Sequence, residues 1–222
     1  MKRIDCVAVD LDGTLVDSVP DLAAATNVML RTMGRDEFSV DVVRKWVGNG
    51  VPRLVERALV GNFDGTPDKA LFDEGLPIFL DAYQASVCDK SACYEGVETA
   101  LETALDLGVR LACVTNKSEA FTLPLLEKLG IRQFFEIVVS GDSLPKKKPD
   151  PAPLLHIARN LGQNPINCAL IGDSVSDIKA AKAAGFRSVI VTYGYNQGLN
   201  LADYEPDQLV DSFADAVVAA VQ

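Results

Sequence analysis

Two carboxylates stand two residues apart at the end of an apolar run. Ile4-Asp5-Cys6-Val7-Ala8-Val9 leads straight into Asp10-Leu11-Asp12-Gly13-Thr14-Leu15. A strand buried on both faces reads as near-continuous apolar sequence, and ionised groups left unpaired at its end would destabilise the fold. A cation resolves the conflict. Two acids, a turn glycine and a hydroxyl at a strand tip point to a Mg²⁺-assisted phosphate site. Asp10 is the candidate nucleophile, because a carboxylate can accept a phosphoryl group and split one hard displacement into two easier ones. Asp12 falls on the same side if strand geometry continues. There it can protonate a leaving oxygen and later deprotonate water, help of the kind that contributes roughly 10²–10⁴-fold. Gly13 allows a tight exit and lets its N–H come close to a phosphate. An Asp-Gly turn with solvated acids is the plainer alternative, and the strand directly upstream argues against it.

Three further segments carry matching chemistry. Val114-Thr115-Asn116-Lys117 ends a second apolar run, and Thr115 offers a hydroxyl and a backbone N–H to a phosphate oxygen. Alone it reads as well as a helix cap. Lys146-Lys147-Lys148-Pro149-Asp150-Pro151 follows a third run. The proline restricts Lys148 to extended backbone, and a positioned ammonium there offsets carboxylate repulsion and stabilises charge on a transferring group. Gly172-Asp173-Ser174-Val175-Ser176-Asp177 ends a fourth run and opens a helix. Asp173 can join Asp10 and Asp12 around Mg²⁺, which takes one or two carboxylates with phosphate and waters. Asp177, one turn on, can hold a metal-bound water or orient Lys148, or simply favour the helix N-terminus.

The elements that must position these residues follow from hydrophobic patterning. Strand composition marks Ile4–Val9, Val109–Val114, Glu136–Val139, Ala169–Ile171 and Ser188–Val191. Between them lie amphipathic helical stretches: 98–107; 118–129, with Ser118 as N-cap and Gly130 beyond its end; 151–161; and 175–184. Strands alternating with helices indicate an α/β fold with a parallel sheet between two helical layers, and such sheets bind ligands at their carboxyl ends. The stretch from the first strand to Tyr94 breaks the alternation. Helical spacing fills it: from Pro20 to Met33, from Ser39 to Val47, from Val51 to Val60, and from Thr66-Pro67 to about Val87. A helical insert fits better than a structureless loop of that length.

Composition sets the remaining bounds. Of 222 residues, 48 % are hydrophobic and 23 % charged, values of an ordinary globular chain. No apolar run reaches the ~18 residues of a membrane helix, and no signal peptide is expected behind Lys2-Arg3. The net charge of −10 speaks against nucleic acid as a partner. Cys6, Cys113 and Cys168 sit in apolar runs as inert thiols do, and reduced cysteines are expected of a cytoplasmic chain. Arg44, Lys45, Arg53 and Arg57 against one acid, Glu56, form a basic patch suited to a small anion.

The four strand-end motifs, in this order, resemble the haloacid dehalogenase superfamily of phosphatases. The match rests on Asp10-Leu11-Asp12-Gly13-Thr14-Leu15-Val16-Asp17-Ser18, Thr115-Asn116, Lys148-Pro149-Asp150-Pro151, and Gly172-Asp173-Ser174 with Asp177. The resemblance implies a Rossmann-like core (residues 1–17 and 93–222) with an inserted α-helical cap domain (18–92). It implies Asp10 as nucleophile and Asp12 as acid/base. Thr115 and Lys148 would bind the phosphoryl group, with Gly13 and Asn116 beside it. Mg²⁺ would sit on Asp10, the Asp12 carbonyl and Asp173, with Asp177 behind them. The substrate class would be a small phosphorylated metabolite.

A closer resemblance is to the phosphoglycolate phosphatases, through Ser18-Val19-Pro20-Asp21-Leu22, Trp46-Val47-Gly48-Asn49-Gly50, Arg57-Ala58-Leu59 and Tyr94-Glu95-Gly96-Val97. It implies that the cap segment Gly48-Asn49-Gly50 meets the active site and helps to choose the substrate, 2-phosphoglycolate. Backbone N–H groups at Gly48 and Gly50 can approach a carboxylate, and Arg53 or Arg57 would supply countercharge. Same-fold alternatives are a sugar-phosphate mutase, a pyrophosphatase or a nucleotidase. A receiver-like phospho-aspartate switch uses similar residues, but such chains are shorter, lack the insert and place the phosphoacceptor mid-chain. Oligomeric state is not encoded legibly.

Overall fold

The computed structural model describes residues 4–222. The chain opens with β1 (Cys6–Val9), then a short β2 (Val16–Asp17). Four helices follow: α1 (Val19–Thr32), α2 (Val40–Arg44), α3 (Val51–Val60) and α4 (Lys69–Ala85). The chain returns through β3 (Ala92–Cys93) and continues as α5 (Val97–Asp106), β4 (Arg110–Val114), α6 (Glu119–Lys128), β5 (Ile137–Val139) and α7 (Ala152–Asn160). Then come β6 (Cys168–Gly172), α8 (Val175–Ala184), β7 (Arg187–Val191), β8 (Gln208–Val210) and α9 (Phe213–Val221).

Six strands form one parallel sheet in the order β5-β4-β1-β6-β7-β8. Alternation along the strands splits the core in two. Val7, Val9, Leu111, Cys113, Ala169 and Ile171 face one way, onto Leu101 of α5, Leu125 of α6 and Phe213 of α9. Cys6, Ala8, Ala112, Val114, Cys168 and Leu170 face the other way, onto Leu154 and Ile157 of α7 and Ala181 of α8. These are the three expected layers. The chain leaves β1 for β4 and β5 on one side and returns to β6 on the other. The sheet order therefore reverses at β1, where open α/β sheets form their crevice.

Helices α1 to α4 lie between β2 and β3, which pair antiparallel, Val16 with Cys93 and Asp17 with Ala92. Leu22 and Leu30 of α1, Leu54 and Leu59 of α3 and Phe79 and Tyr83 of α4 are buried in one apolar cluster. The two chain crossings are tied at their base by Asp21. Its buried carboxylate accepts from the N–H groups of Asp89, Lys90 and Ser91 at 2.8–3.0 Å and from the Ser91 hydroxyl at 2.6 Å. Among the described residues no helix is long and apolar enough to cross a membrane.

Three local expectations shift. Helix α4 starts two residues after Thr66-Pro67, because the Asp68 carboxylate accepts from Leu71 N–H as its cap. Ser118 holds the N-cap position of α6 without a side-chain cap bond, and the Asp142 carboxylate accepts from Glu119 N–H instead. The edge strand β8 has two exposed residues out of three, so no apolar run announced it.

Candidate active site

Asp10, Thr115 and Asp173 stand at or just past the ends of β1, β4 and β6, and Lys148 reaches them from the loop after β5. They line one cleft, together with Asp12, Asn116, Lys117 and Tyr195. Its opposite wall is Leu22, Val47, Gly48, Gly50, Val51 and Leu54.

Lys148 is the hub. The residue is 3 % exposed, and its ammonium donates to Asp10 Oδ1 at 2.8 Å, Asp177 Oδ1 at 2.7 Å and Val114 O at 2.8 Å. The Lys148-Pro149 peptide is cis, and Asn116 Nδ2 donates to the Lys148 carbonyl at 3.0 Å. Burial disfavours the charged amine, but the carboxylates of Asp10 and Asp177 outweigh it and keep Lys148 protonated. Burial pushes the Asp10 carboxyl up to about 7 against the pull of Lys148, and Asp177 adds repulsion. Asp173 is also raised, by burial and by its neighbours Asp10 and Asp177.

This excess of buried negative charge is the physical case for a cation. Ligand oxygens of Asp10, Asp173 and Asp177 lie within 4.8 Å of one another. Asp177 is already engaged. Its Oδ1 takes Lys148, and its Oδ2 takes the Ser174 hydroxyl at 2.5 Å and Ser174 N–H at 3.1 Å in a capping box. Asp173 accepts Tyr195 N–H at 2.5 Å through Oδ2. Asp10 and Asp173 therefore fit a hard cation best, with Asp177 holding Lys148 behind them.

Gly13 serves differently than expected. Its N–H donates to Val16 O at 2.9 Å, inside the turn. At φ +89° a Cβ there would lie 2.1 Å from Asp173 Oδ2, so the missing side chain makes room for that carboxylate. Thr115 N–H is likewise committed, to Val139 O at 2.9 Å. Its hydroxyl accepts from Lys117 N–H at 3.1 Å and keeps its own proton to donate.

Asp12 is turned away from the acidic cluster. It accepts from Lys117 Nζ at 2.9 and 3.2 Å and from the Ser18 hydroxyl at 2.5 Å. Lys117 is buried over the Tyr83 ring, 5.0 Å from its centroid. Burial opposes its charge, and the Asp12 carboxylate maintains it.

A family model of haloacid dehalogenase-like hydrolases matches residues 4–185 of the sequence that builds this site. The chain belongs to the haloacid dehalogenase-like hydrolase family. It is 47 % identical over 215 residues to a phosphoglycolate phosphatase of Nitrosococcus oceani, covering 97 % of this chain and 96 % of that one. It is 45 % identical to a phosphoglycolate phosphatase of Nitrosospira multiformis, over 96 % and 94 % of the two chains. Its fold matches the crystal structure of a predicted phosphoglycolate phosphatase from Haemophilus somnus, with a TM-score of 0.92, 35 % identity and 99 % of each chain covered. The chain is an enzyme of this hydrolase family.

In this hydrolase the helical wall carries two surprises. Arg53 does not reach the cleft. Its guanidinium donates to Glu56 at 2.7 Å, Gly65 O at 3.0 Å and Phe63 O at 3.1 Å. Arg57 is also turned inward, onto Trp46 O at 2.6 Å and Phe63 O at 2.9 Å. Both cations close a loop of the insert, so neither faces the cleft as expected. Asn49 lies behind its two glycines, where its Oδ1 accepts from Gln197 Nε2 at 3.1 Å. Gln197 also donates to Val47 O at 2.7 Å, and a Cβ on Gly48 would stand 2.9 Å from its amide.

Sequence reasoning passed over Lys117, Gln197 and Tyr195. The Tyr195 hydroxyl accepts from Ser18 N–H at 2.9 Å and Val19 N–H at 3.2 Å, and donates to Asp17 Oδ1 at 2.7 Å. One residue thus joins Asp173, through its backbone, to the start of the insert. Lys117 had a signal: it directly follows Thr115-Asn116, as a charged residue at a strand end. The other two sit in a loop after β7 with no recognisable pattern.

Proposed function

We propose that this hydrolase removes phosphate from small phosphomonoesters through an aspartyl-phosphate, with 2-phosphoglycolate as preferred substrate. Glycolate and phosphate are the products. The observation that carries the reading is the meeting of Asp10, Asp173 and Lys148 at the switch point of the sheet, facing a second wall supplied by the insert. The substrate assignment rests on relatives of 43–47 % identity that are named phosphoglycolate phosphatases.

In this reading residues 1–17 and 93–222 are the catalytic core and 18–92 a cap that closes over the substrate and excludes water. Asp10 attacks phosphorus in line, and the bond to the leaving oxygen breaks as Asp12 protonates that oxygen. Asp12 then takes a proton from water, which attacks the aspartyl-phosphate, releases phosphate and regenerates Asp10. The Thr115 hydroxyl and the Lys148 ammonium hold the phosphoryl oxygens, with Asn116 bracing Lys148 through its carbonyl. Asp10, Asp173 and the Asp12 carbonyl would hold Mg²⁺, which supplies positive charge to the transferring group. Gly48 and Gly50 present backbone to the substrate from the cap. The reaction has no use for a nucleic acid or membrane partner, and a cytoplasmic location fits reduced cysteines.

The test is a panel of phosphomonoesters with Mg²⁺, ranked by kcat/KM and read as inorganic phosphate. 2-Phosphoglycolate should lead. A lead for a sugar phosphate or nucleotide would remove the substrate assignment and keep the phosphatase, whereas isomer formation without phosphate release would indicate a mutase. Asp10→Asn should lower turnover by roughly 10⁴-fold or more, and near-normal activity in that variant would remove the nucleophile assignment.

A further inference from the structure

The cleft presents two ammonium groups among its lining residues, Lys148 and Lys117. Lys148 is shared between two carboxylates and a carbonyl. Lys117 is held by a single carboxylate, that of Asp12. Arg53 and Arg57 are spent on backbone carbonyls of the insert. The rest of the cap-side wall is apolar side chain and glycine: Leu22, Val47, Val51 and Leu54 with Gly48 and Gly50. A substrate that carries a carboxylate beside its phosphate brings one more negative charge than Lys148 and Mg²⁺ are placed to meet. An uncompensated carboxylate in that apolar half of the cleft would be costly.

The Asp12–Lys117 pair also blocks the chemistry assigned to Asp12. Both of its oxygens face the lysine, one of them also taking the Ser18 hydroxyl. A carboxylate so engaged has to leave before it can serve a leaving oxygen.

We propose that Lys117 receives the substrate's carboxylate, and that this exchange of one carboxylate for another on the same ammonium frees Asp12 for proton transfer. The substrate's carboxylate replaces that of Asp12 on the ammonium, and the displaced Asp12 takes up from solvent the proton that it then gives to the leaving oxygen, so the charge of the site is unchanged. Lys117 then does two things. It selects phosphomonoesters that carry an acid group near the phosphate, and it makes Asp12 available only when such a substrate is in place. The inference rests on the phosphomonoesterase reading above and assigns its selectivity to the residue after Asn116, on the core side of the cleft, where the sequence had pointed to Arg53 in the cap.

The experiment compares 2-phosphoglycolate with ethyl phosphate, which keeps the two-carbon chain and lacks the carboxylate, in the full-length enzyme with Mg²⁺. Wild type should prefer 2-phosphoglycolate. Lys117→Met should lower its kcat/KM by roughly 10- to 100-fold, the range of a charged hydrogen bond. For ethyl phosphate the same variant should lose several-fold less, so that the preference for the acid collapses. Lys117→Arg should retain the preference for the acid. A proportional fall on both substrates would mean that Lys117 only supports the fold, and would overturn the proposal. So would a Lys147→Met variant that loses the preference while Lys117→Met keeps it. Should Lys117→Met fail to fold, the wild-type enzyme still decides with the amide of 2-phosphoglycolate. A rate within a few-fold of the acid overturns the proposal, and a rate lower by 10-fold or more, with Lys117→Arg still selective, upholds it. A wild type that shows no preference for 2-phosphoglycolate over ethyl phosphate overturns the substrate assignment and this inference together; a wild type that shows it, with both substrates losing equally in Lys117→Met, overturns this inference alone.

Discussion

The two walls of the cleft are built on different physics. On the core side, charge is buried and every group is fixed by the sheet: Lys148 is locked by three acceptors, Asp177 by a capping box, and Asp173 against the backbone of Gly13. On the insert side the wall is apolar side chain and glycine, joined to the core by polar contacts from Gln197 and Lys147 and by the shared apolar cluster in which Tyr83 packs on Phe121. The core wall stores an excess of buried negative charge that a cation would relieve. The facing wall, among the described residues, brings no charged side chain to the cleft. Charged and apolar surfaces thereby come from separate pieces of the chain, and substitutions on the two walls should fail in different ways.

The largest difference should come from Lys148→Met. Removing the ammonium leaves Asp10 and Asp177 buried without their common partner, a change worth about 3–5 kcal/mol of stability. Turnover should fall by roughly 10² or more, since a fixed charge on the transferring group is lost. Chemical denaturation with and without Mg²⁺ checks the first part, and the metal should recover some of the lost stability. A variant as stable as wild type would show that the buried charges are relieved in some other way, and the contrast between the walls would weaken.

On the other wall, Gln197→Ala removes two hydrogen bonds between core and insert. Each is worth about 0.5–1.5 kcal/mol at most, so KM for the phosphomonoester should rise several-fold while kcat and the melting temperature move little. A fall in kcat with unchanged KM would place Gln197 with the core chemistry and erase the distinction.

The same contrast explains what could be read from sequence. Lys148 was legible because it closes a lysine run before a proline in the loop after β5, and Asp10, Thr115 and Asp173 because each stands directly after an apolar strand, where local pattern alone marks an odd polar group. Five of the six parallel strands were legible for the same reason. The pairing of Asp12 with Lys117 spans 105 residues, and Tyr195 meets Ser18 across 177. No local pattern encodes such meetings. Arg53 was misplaced because a basic residue just after Gly-Asn-Gly looks like a cleft residue until the loop at Phe63–Gly65 is seen to claim its guanidinium. The short strands β2 and β3 are legible only as a pair, and they lie at opposite ends of the insert.

The smallest effect lies where the walls join. Asp17 pairs with Arg44 of α2 at 2.9 and 3.1 Å and accepts from Tyr195 at 2.7 Å. Burial works against its charge, but the hydrogen bonds from Arg44 and Tyr195 outweigh it and hold its carboxyl below the usual range. A carboxyl lowered in the folded state stabilises the fold above its unfolded value, near pH 4, and loses that contribution as pH falls through the lower folded value. The pair is about one-third exposed, so solvent limits its worth to about 1 kcal/mol or less. The stability gap between wild type and Asp17→Asn should therefore be flat from pH 8 to about 5 and narrow below about 4, measured by urea unfolding at each pH. A gap that widens on acidification would mean that Asp17 is held protonated. The Arg44–Asp17–Tyr195 junction would then not be a charged joint between the core and the helical insert.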